Sequence, residues 1–215
     1  MVSPYQGNSL EIRSFIAFPI SEQMALTFFE TAEMLCNMDH FQQIRWLPPE
    51  NCHMTLAFLG NVHENRFHHL IHNLSQNLSG QKEGTLQFNE VSPFPFHKRP
   101  RGIAALAEAN SWLKALQSQC MQAARKSGIE LERRRFVPHV TLARIKKRIK
   151  NSQGFPPLFV NVQIPGKQIV LYESILHPEG AQYHVIEAFD LNVNERMTSS
   201  SAKIRMKVLE DLGSG

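Results

Sequence analysis

Histidine and threonine stand two residues apart twice in this chain, as His53-Met54-Thr55-Leu56 and as His139-Val140-Thr141-Leu142. Imidazole titrates near neutral pH, so two histidines can share the work of general base and general acid. A hydroxyl beside each can donate to an oxygen on which negative charge builds. Gathered at one point, the four side chains suit a phosphodiester. One imidazole takes a proton from water, the other gives one to the departing oxygen, and Thr55 and Thr141 hold the non-bridging oxygens. Such a set requires no metal, because imidazolium and nearby arginine supply the positive charge. A single histidine on a strand is more often a packed core residue. With 10 His and 6 Thr in 215 residues, two copies of the tetrapeptide point instead to an internal duplication.

The elements that must position the two motifs repeat as well. SFIAFPI (14–20) reads as a buried strand, 21–38 as a helix capped by Ser21 with Met24, Phe28, Leu35 and Met38 near one face, and CHMTLAFLG (52–60) as a strand. In the second half RGIAALA (101–107) reads as a strand, 110–128 as a helix capped by Asn110 or Ser111, and FVPHVTLARI (136–145) as the motif strand. Ile16 precedes His53 by 37 residues and Ile103 precedes His139 by 36. Between the halves lie a helix over 64–80, a strand over 85–91 and a proline-rich loop; strands at 167–177 and 183–191, turned at Gly180, follow. IRWLPPEN reads as a turn. The implied architecture is α+β: two lobes related by pseudo-twofold symmetry, each with antiparallel strands, around a central cleft.

On a strand, residues i and i+2 share a face. His53 and Thr55 therefore face one way and Met54 and Leu56 the other, and His139 and Thr141 are set likewise against Val140 and Leu142. If the lobes pack about a twofold axis, all four functional groups meet in one cleft. Strict alternation turns Arg144 away with Val140 and Leu142, so it reaches phosphate only where the strand bends or ends. Its counterpart in the first half is Phe58.

The net charge is +4, but from Arg133 to Lys150 there are eight basic residues and no acidic one, and Lys98, Arg99 and Arg101 form a second cluster. A basic run usually marks a solvated face. This one encloses the second motif, which points to a polyanion such as nucleic-acid phosphate. Cys36, Cys52 and Cys120 are odd in number with no CxxC pairing, as expected in a reducing compartment. No signal peptide or membrane-spanning run is evident, so a cytoplasmic protein is expected. His63, His68, His69 and His72 include an i, i+4 pair, a zinc-compatible spacing without a third ligand, so a solvated helix face is the better reading. Phe18, Trp46 and Phe136 are candidates to stack a base.

These residues resemble the two-histidine (2H) phosphoesterases, marked by two His-x-Thr/Ser-x motifs. Within them RSFIAFPI, WLPPENCHMTLAFLG, FVPHVTLAR and LYESILHPEGAQYHV resemble the bacterial RNA 2′,3′-cyclic phosphodiesterases, also known as 2′-5′ RNA ligases. The resemblance covers about residues 12 to 190. RGIAALAEAN is smaller and richer in alanine than the usual strand at that place. The resemblance implies hydrolysis of a terminal 2′,3′-cyclic phosphate to a 2′-phosphate, with His53 as proton donor to the 3′ oxygen and His139 as proton acceptor from water. It implies no cofactor, and a minor reverse ligation. The expected partner is RNA ending in a cyclic phosphate, a tRNA fragment or a nucleotide among the forms, with no membrane. A monomer is expected, since each lobe supplies half the site. Residues 1–192 are read as the catalytic unit and 193–215 as a polar tail with at most one short helix. The rival reading is a non-catalytic module of the same fold that binds RNA ends or nucleotides.

Overall fold

The computed structural model describes residues 10–37, 44–95, 100–132, 135–145, 157–178 and 180–191. Most of the basic run (Arg133, Arg134, Lys146, Lys147, Arg148, Lys150), Lys98 and Arg99, and the whole tail lie outside the described residues.

The chain runs β1 (Glu11–Pro19), α1 (Glu22–Asn37), β2 (Ile44–Trp46), β3 (His53–His63), α2 (Phe67–Leu78), β4 (Gly84–Phe94), β5 (Gly102–Ala107), α3 (Ser111–Lys126), β6 (His139–Ile145), β7 (Leu158–Gly166), β8 (Gln168–His177) and β9 (Gly180–Asp190). The strands form one antiparallel sheet in the order β7-β4-β5-β6-β3-β1-β8-β9, with β2 added to β6. Four strands lie on each side of the β3–β6 seam, and that seam is a single bridge, Met54 to Val140. The sheet is thus two lobes meeting where the two motifs touch.

Most expected elements are present, capped by the residues that the sequence names. Ser21 Oγ accepts from Met24 N–H at 3.4 Å, and Asn110 Oδ1 accepts from Leu113 N–H at 2.9 Å. The buried stripe of α1 is Ala25, Phe28 and Ala32, with Met24 only half-buried. Phe28 meets Phe88 of the sheet at 4.8 Å, and small alanines on either side let the helix come close. Met38 and the side chain of Leu35 lie outside the described residues.

Two expectations need correction. The segment read as a turn contains β2, whose Ile44, Arg45 and Trp46 pair with Ile145, Arg144 and Ala143. Residues 158–166, to which the sequence reading assigns no element, form β7. There Leu158, Val160, Val162 and Ile164 face the core while Phe159, Asn161 and Gln163 are exposed.

Each long helix crosses the seam. α1 follows β1 but packs on β4, β6 and β7 of the other lobe; α3 follows β5 and packs on β3 and α2 across the seam as well as on β4 of its own lobe. The core between helices and sheet holds Met54, Leu56, Val140, Leu142, Leu113 and Leu116, all nearly or fully buried. Cys52 and Cys120 are free and buried. Burial pushes both thiols up to about 12.

Candidate active site

The Met54–Val140 bridge fixes the mutual position of the motifs. Carrying that antiparallel register one residue either way sets His53 opposite Thr141 and Thr55 opposite His139. All four are half-buried on the face away from the helices, while Met54 and Val140 between them are fully buried. The shared face expected from i, i+2 alternation is therefore present.

After the threonines, the alternation breaks identically in both lobes. Against β1, Ala17 pairs with Thr55 but Ile16 pairs with Ala57, so Leu56 is an extra residue. Against β5, Ala104 pairs with Thr141 but Ile103 pairs with Ala143, so Leu142 is extra. These are matched β-bulges. Leu56 and Ala57 are both buried, as are Leu142 and Ala143. The next residue, Phe58 or Arg144, swings back to the cleft face and is exposed. The expectation that Arg144 faces away with Val140 and Leu142 is thereby corrected: the bulge shifts its parity. Arg45 of β2 lies directly across from it. On the first lobe the matching cation comes from the neighbouring strand, where the Arg13 guanidinium sits 4.6 Å from the centre of the Phe58 ring.

Both imidazoles are held in the same way. His53 Nδ1 lies 2.8 Å from the carbonyl of Asn51, and His139 Nδ1 lies 2.7 Å from the carbonyl of Val137. A carbonyl can only accept, so Nδ1 carries the proton in each ring. Nε2 is left as the nitrogen that can take or give one.

Aromatic rings wall the two histidines. Phe15 lies 4.6 Å from His53, centre to centre. Tyr183 stands edge-on to His53 at 5.0 Å, and Tyr172 stacks on Phe15 at 5.1 Å. On the other lobe, Phe94 lies 4.3 Å from His139. By register Phe94 is across from Gly102; a strand of Gly102, Ala104 and Leu106 leaves it room on the cleft side. Of the three stacking candidates from the sequence, Phe18 is buried against Trp112, Trp46 packs on Phe29, and Phe136 is half-buried on the core. The rings beside the histidines belong to other residues. Tyr172 and Tyr183 do lie in the LYESILHPEGAQYHV segment that carries the resemblance.

A family model described as LigT-like phosphoesterase matches this chain twice, over residues 19–104 and 105–180, one motif in each match. The chain belongs to the LigT-like phosphoesterase family. An RNA 2′,3′-cyclic phosphodiesterase of Aquifex aeolicus is 31% identical over 187 residues, 84% of this chain and 97% of that protein. Among solved structures, a protein of Thermus thermophilus superposes with a TM-score of 0.72 at 25% identity, covering 86% of this chain and 100% of that one. E. coli LigT complexed with 3′-AMP gives 0.69 at 20% identity, again over 86% and 100%. The double match accords with the duplication, and the fold is that of LigT.

In this LigT-like phosphoesterase the free site is hostile to positive charge. His53 is pushed down to about 4, chiefly by burial, partly opposed by its bond to the Asn51 carbonyl, and further lowered by the charges of His139 and Arg144. His139 is lowered too, again mainly by burial and against its bond to Val137. Burial raises Tyr183, while Arg144 and Arg13 pull it back. Arg13 and Arg144 thus act on the same ring from opposite lobes.

Unfolded His53 titrates near 6.5 and folded His53 near 4. The stability of its neutral form is complete above pH 6.5 and is lost as pH falls toward 4. Urea unfolding at pH 7 and pH 4 should differ by about 2–3 kcal/mol from this group, with His139 acting in the same direction. Identical stability at both pH values would contradict the burial of the imidazoles.

The other histidine cluster is unlike this site. His68, His69 and His72 are exposed on α2, and His63 Nδ1 accepts from Asn65 N–H at 3.3 Å. Among the described residues no group of three or more His, Cys, Asp or Glu is gathered to hold a metal ion, and no helix is long and apolar enough to cross a membrane.

Proposed function

We propose that this phosphoesterase hydrolyses RNA ending in a 2′,3′-cyclic phosphate, or the corresponding cyclic nucleotide, to the 2′-phosphate without a metal ion. The supporting observation is the pair of identically tethered imidazoles, each with Nε2 as its reactive nitrogen, on the face that also carries both threonines and Arg144. His139 Nε2 takes a proton from water as the water oxygen bonds to phosphorus. The bond from phosphorus to the 3′ oxygen breaks, and His53 Nε2 gives that oxygen its proton. Thr55 and Thr141 donate to the non-bridging oxygens, and Arg144 balances their charge. Solvent then exchanges the protons and resets the pair.

The role of each histidine follows the family resemblance. In the free site the surroundings resist a proton on His53, so the charge of the bound phosphodiester must favour it. kcat/KM, which reports the free enzyme, should peak on the acid side of the ordinary imidazole value, and kcat should peak at higher pH. The same groups allow 2′-5′ ligation when a ribose 5′ hydroxyl replaces water: His139 takes its proton as the 5′ oxygen bonds to phosphorus, and the 3′ oxygen leaves with a proton from His53. The protein acts as a monomer, since the two halves of the site come from one chain.

The test is a short RNA bearing the cyclic phosphate, incubated in EDTA, with the product terminus identified. Conversion to 2′-phosphate, undiminished by EDTA, supports the proposal. RNA that binds but is not converted would leave the rival reading, a module that holds RNA ends.

A further inference from the structure

The first-lobe histidine has an attachment that its partner lacks. Asn51 ends a 3-10 turn, Pro49–Asn51, in which Asn51 N–H donates to Pro48 O at 2.9 Å and Cys52 N–H donates to Pro49 O at 3.0 Å. Its backbone is therefore fixed. Its carbonyl accepts from His53 Nδ1 at 2.8 Å. Its side-chain Nδ2 donates to the carbonyl of Ala181, at 3.0 Å and 130 residues away. Ala181 lies at the tip of the β8–β9 hairpin, two residues before Tyr183, whose ring stands on His53. One asparagine thus grips both the imidazole and the hairpin that covers it.

Arg45 reinforces the grip. Gly180 has φ +144°, and a Cβ placed there would lie 2.7 Å from the Arg45 guanidinium. Glycine at that point lets the arginine lie against the hairpin backbone. Val137 occupies the corresponding place before His139. Its carbonyl takes His139 Nδ1, but its side chain has no donor and is 36% exposed.

We propose that Asn51 is a positioning residue that ties closure of the β8–β9 hairpin to the orientation and dryness of His53. The rings facing His53 are Phe15 from β1, Tyr172 from β8 and Tyr183 from β9, and His139 and Arg144 act on it from β6. Two of the three walls belong to the hairpin. If the hairpin loosens, water reaches His53 and its ring gains freedom. The ring beside His139 is Phe94 of β4 rather than a residue of the hairpin. The proposal rests on the reading of His53 as a reacting group.

The test compares wild type, Asn51→Ala and Gly180→Ala by NMR titration of the His53 ring and by kcat and KM against pH. Gly180→Ala attacks the same hairpin from the opposite side, by straining its backbone at φ +144° and displacing Arg45. In both variants the His53 titration should move up from about 4 toward the ordinary imidazole range, while that of His139 stays in place. kcat should fall by about ten- to a hundredfold, as for a misplaced reacting group, with less change in KM. A His53 titration unchanged in both variants overturns the proposal, even if activity falls along with folded protein. The titration needs no turnover. Wild type that fails to hydrolyse a cyclic phosphate therefore refutes the proposed function alone, and the ring titration still decides the role of Asn51.

Discussion

His53→Ala and His139→Ala should each lower kcat/KM on a 2′,3′-cyclic phosphate by at least about a hundredfold, the usual worth of a positioned general acid or base. The two losses should not add, because a proton that cannot be delivered makes a proton that can be abstracted useless; the double variant should fall little below the worse single one. KM should change less than kcat, since the threonines and Arg144 remain to hold the phosphate. Folding should survive. His53→Ala removes a group that resists ionisation, so its stability should vary less with pH than that of wild type. Either single variant keeping a tenth of wild-type activity would sink the two-histidine reading.

Gly102→Ala should be the most damaging small substitution in the second lobe. A Cβ at residue 102 would lie 2.2 Å from the carbonyl oxygen of Ala143. That oxygen belongs to backbone locked on both sides, by Ile103 pairing with Ala143 and by Ile145 N–H donating to Arg101 O at 2.9 Å. Nothing flexible is available to move. β5 and β6 must part, and the feature next to the clash is the Leu142 bulge that turns Arg144 toward the cleft. We expect a loss of about 3 kcal/mol, the upper range for overpacking, together with a raised KM for the cyclic phosphate. Gly60→Ala is the control. Its φ is +71° with nothing within 4 Å of the added Cβ, so backbone strain of about 1–2 kcal/mol acts alone. Urea melts decide it: if Gly102→Ala is no less stable than Gly60→Ala, the clash is not what holds the bulge.

The catalytic set is legible in the sequence because its information is local. His-x-Thr on a strand declares its own face, and the second copy declares the symmetry. Alternation misplaces Arg144 because a bulge is a property of pairing, invisible until Ile103 is seen opposite Ala143. A trace of it is present: Leu56-Ala57 and Leu142-Ala143 are consecutive small-to-medium apolar residues where alternation asks for one apolar and one polar. Phe15 looks like any core residue of SFIAFPI, and only the order β3-β1-β8-β9 places it between His53 and Tyr172. Phe94 is hidden by the proline-rich loop beside it. β2 has three residues, too few for a period to register, and its role is to fill the edge of β6 that β3 leaves open. β7 does show alternation, from Leu158 to Ile164, but Pro156, Pro157 and Pro165 around it argue for a loop.

The crossing of the helices has a meaning for ancestry. α1 grows out of one lobe and roofs the other, while α3 reaches across the seam in the opposite direction and also touches β4 of its own lobe. A polypeptide of half this length would lose much of the cover on its strands and leave much of its long helix unpacked. Two identical half-chains, trading helices, would cure both defects at once and bring two equal histidines together at their dyad. The present chain carries both halves in one polypeptide, with one family match on each. Within one chain each half is free to differ, and Asn51 against Val137, like Phe58 against Arg144, marks where the two are unlike.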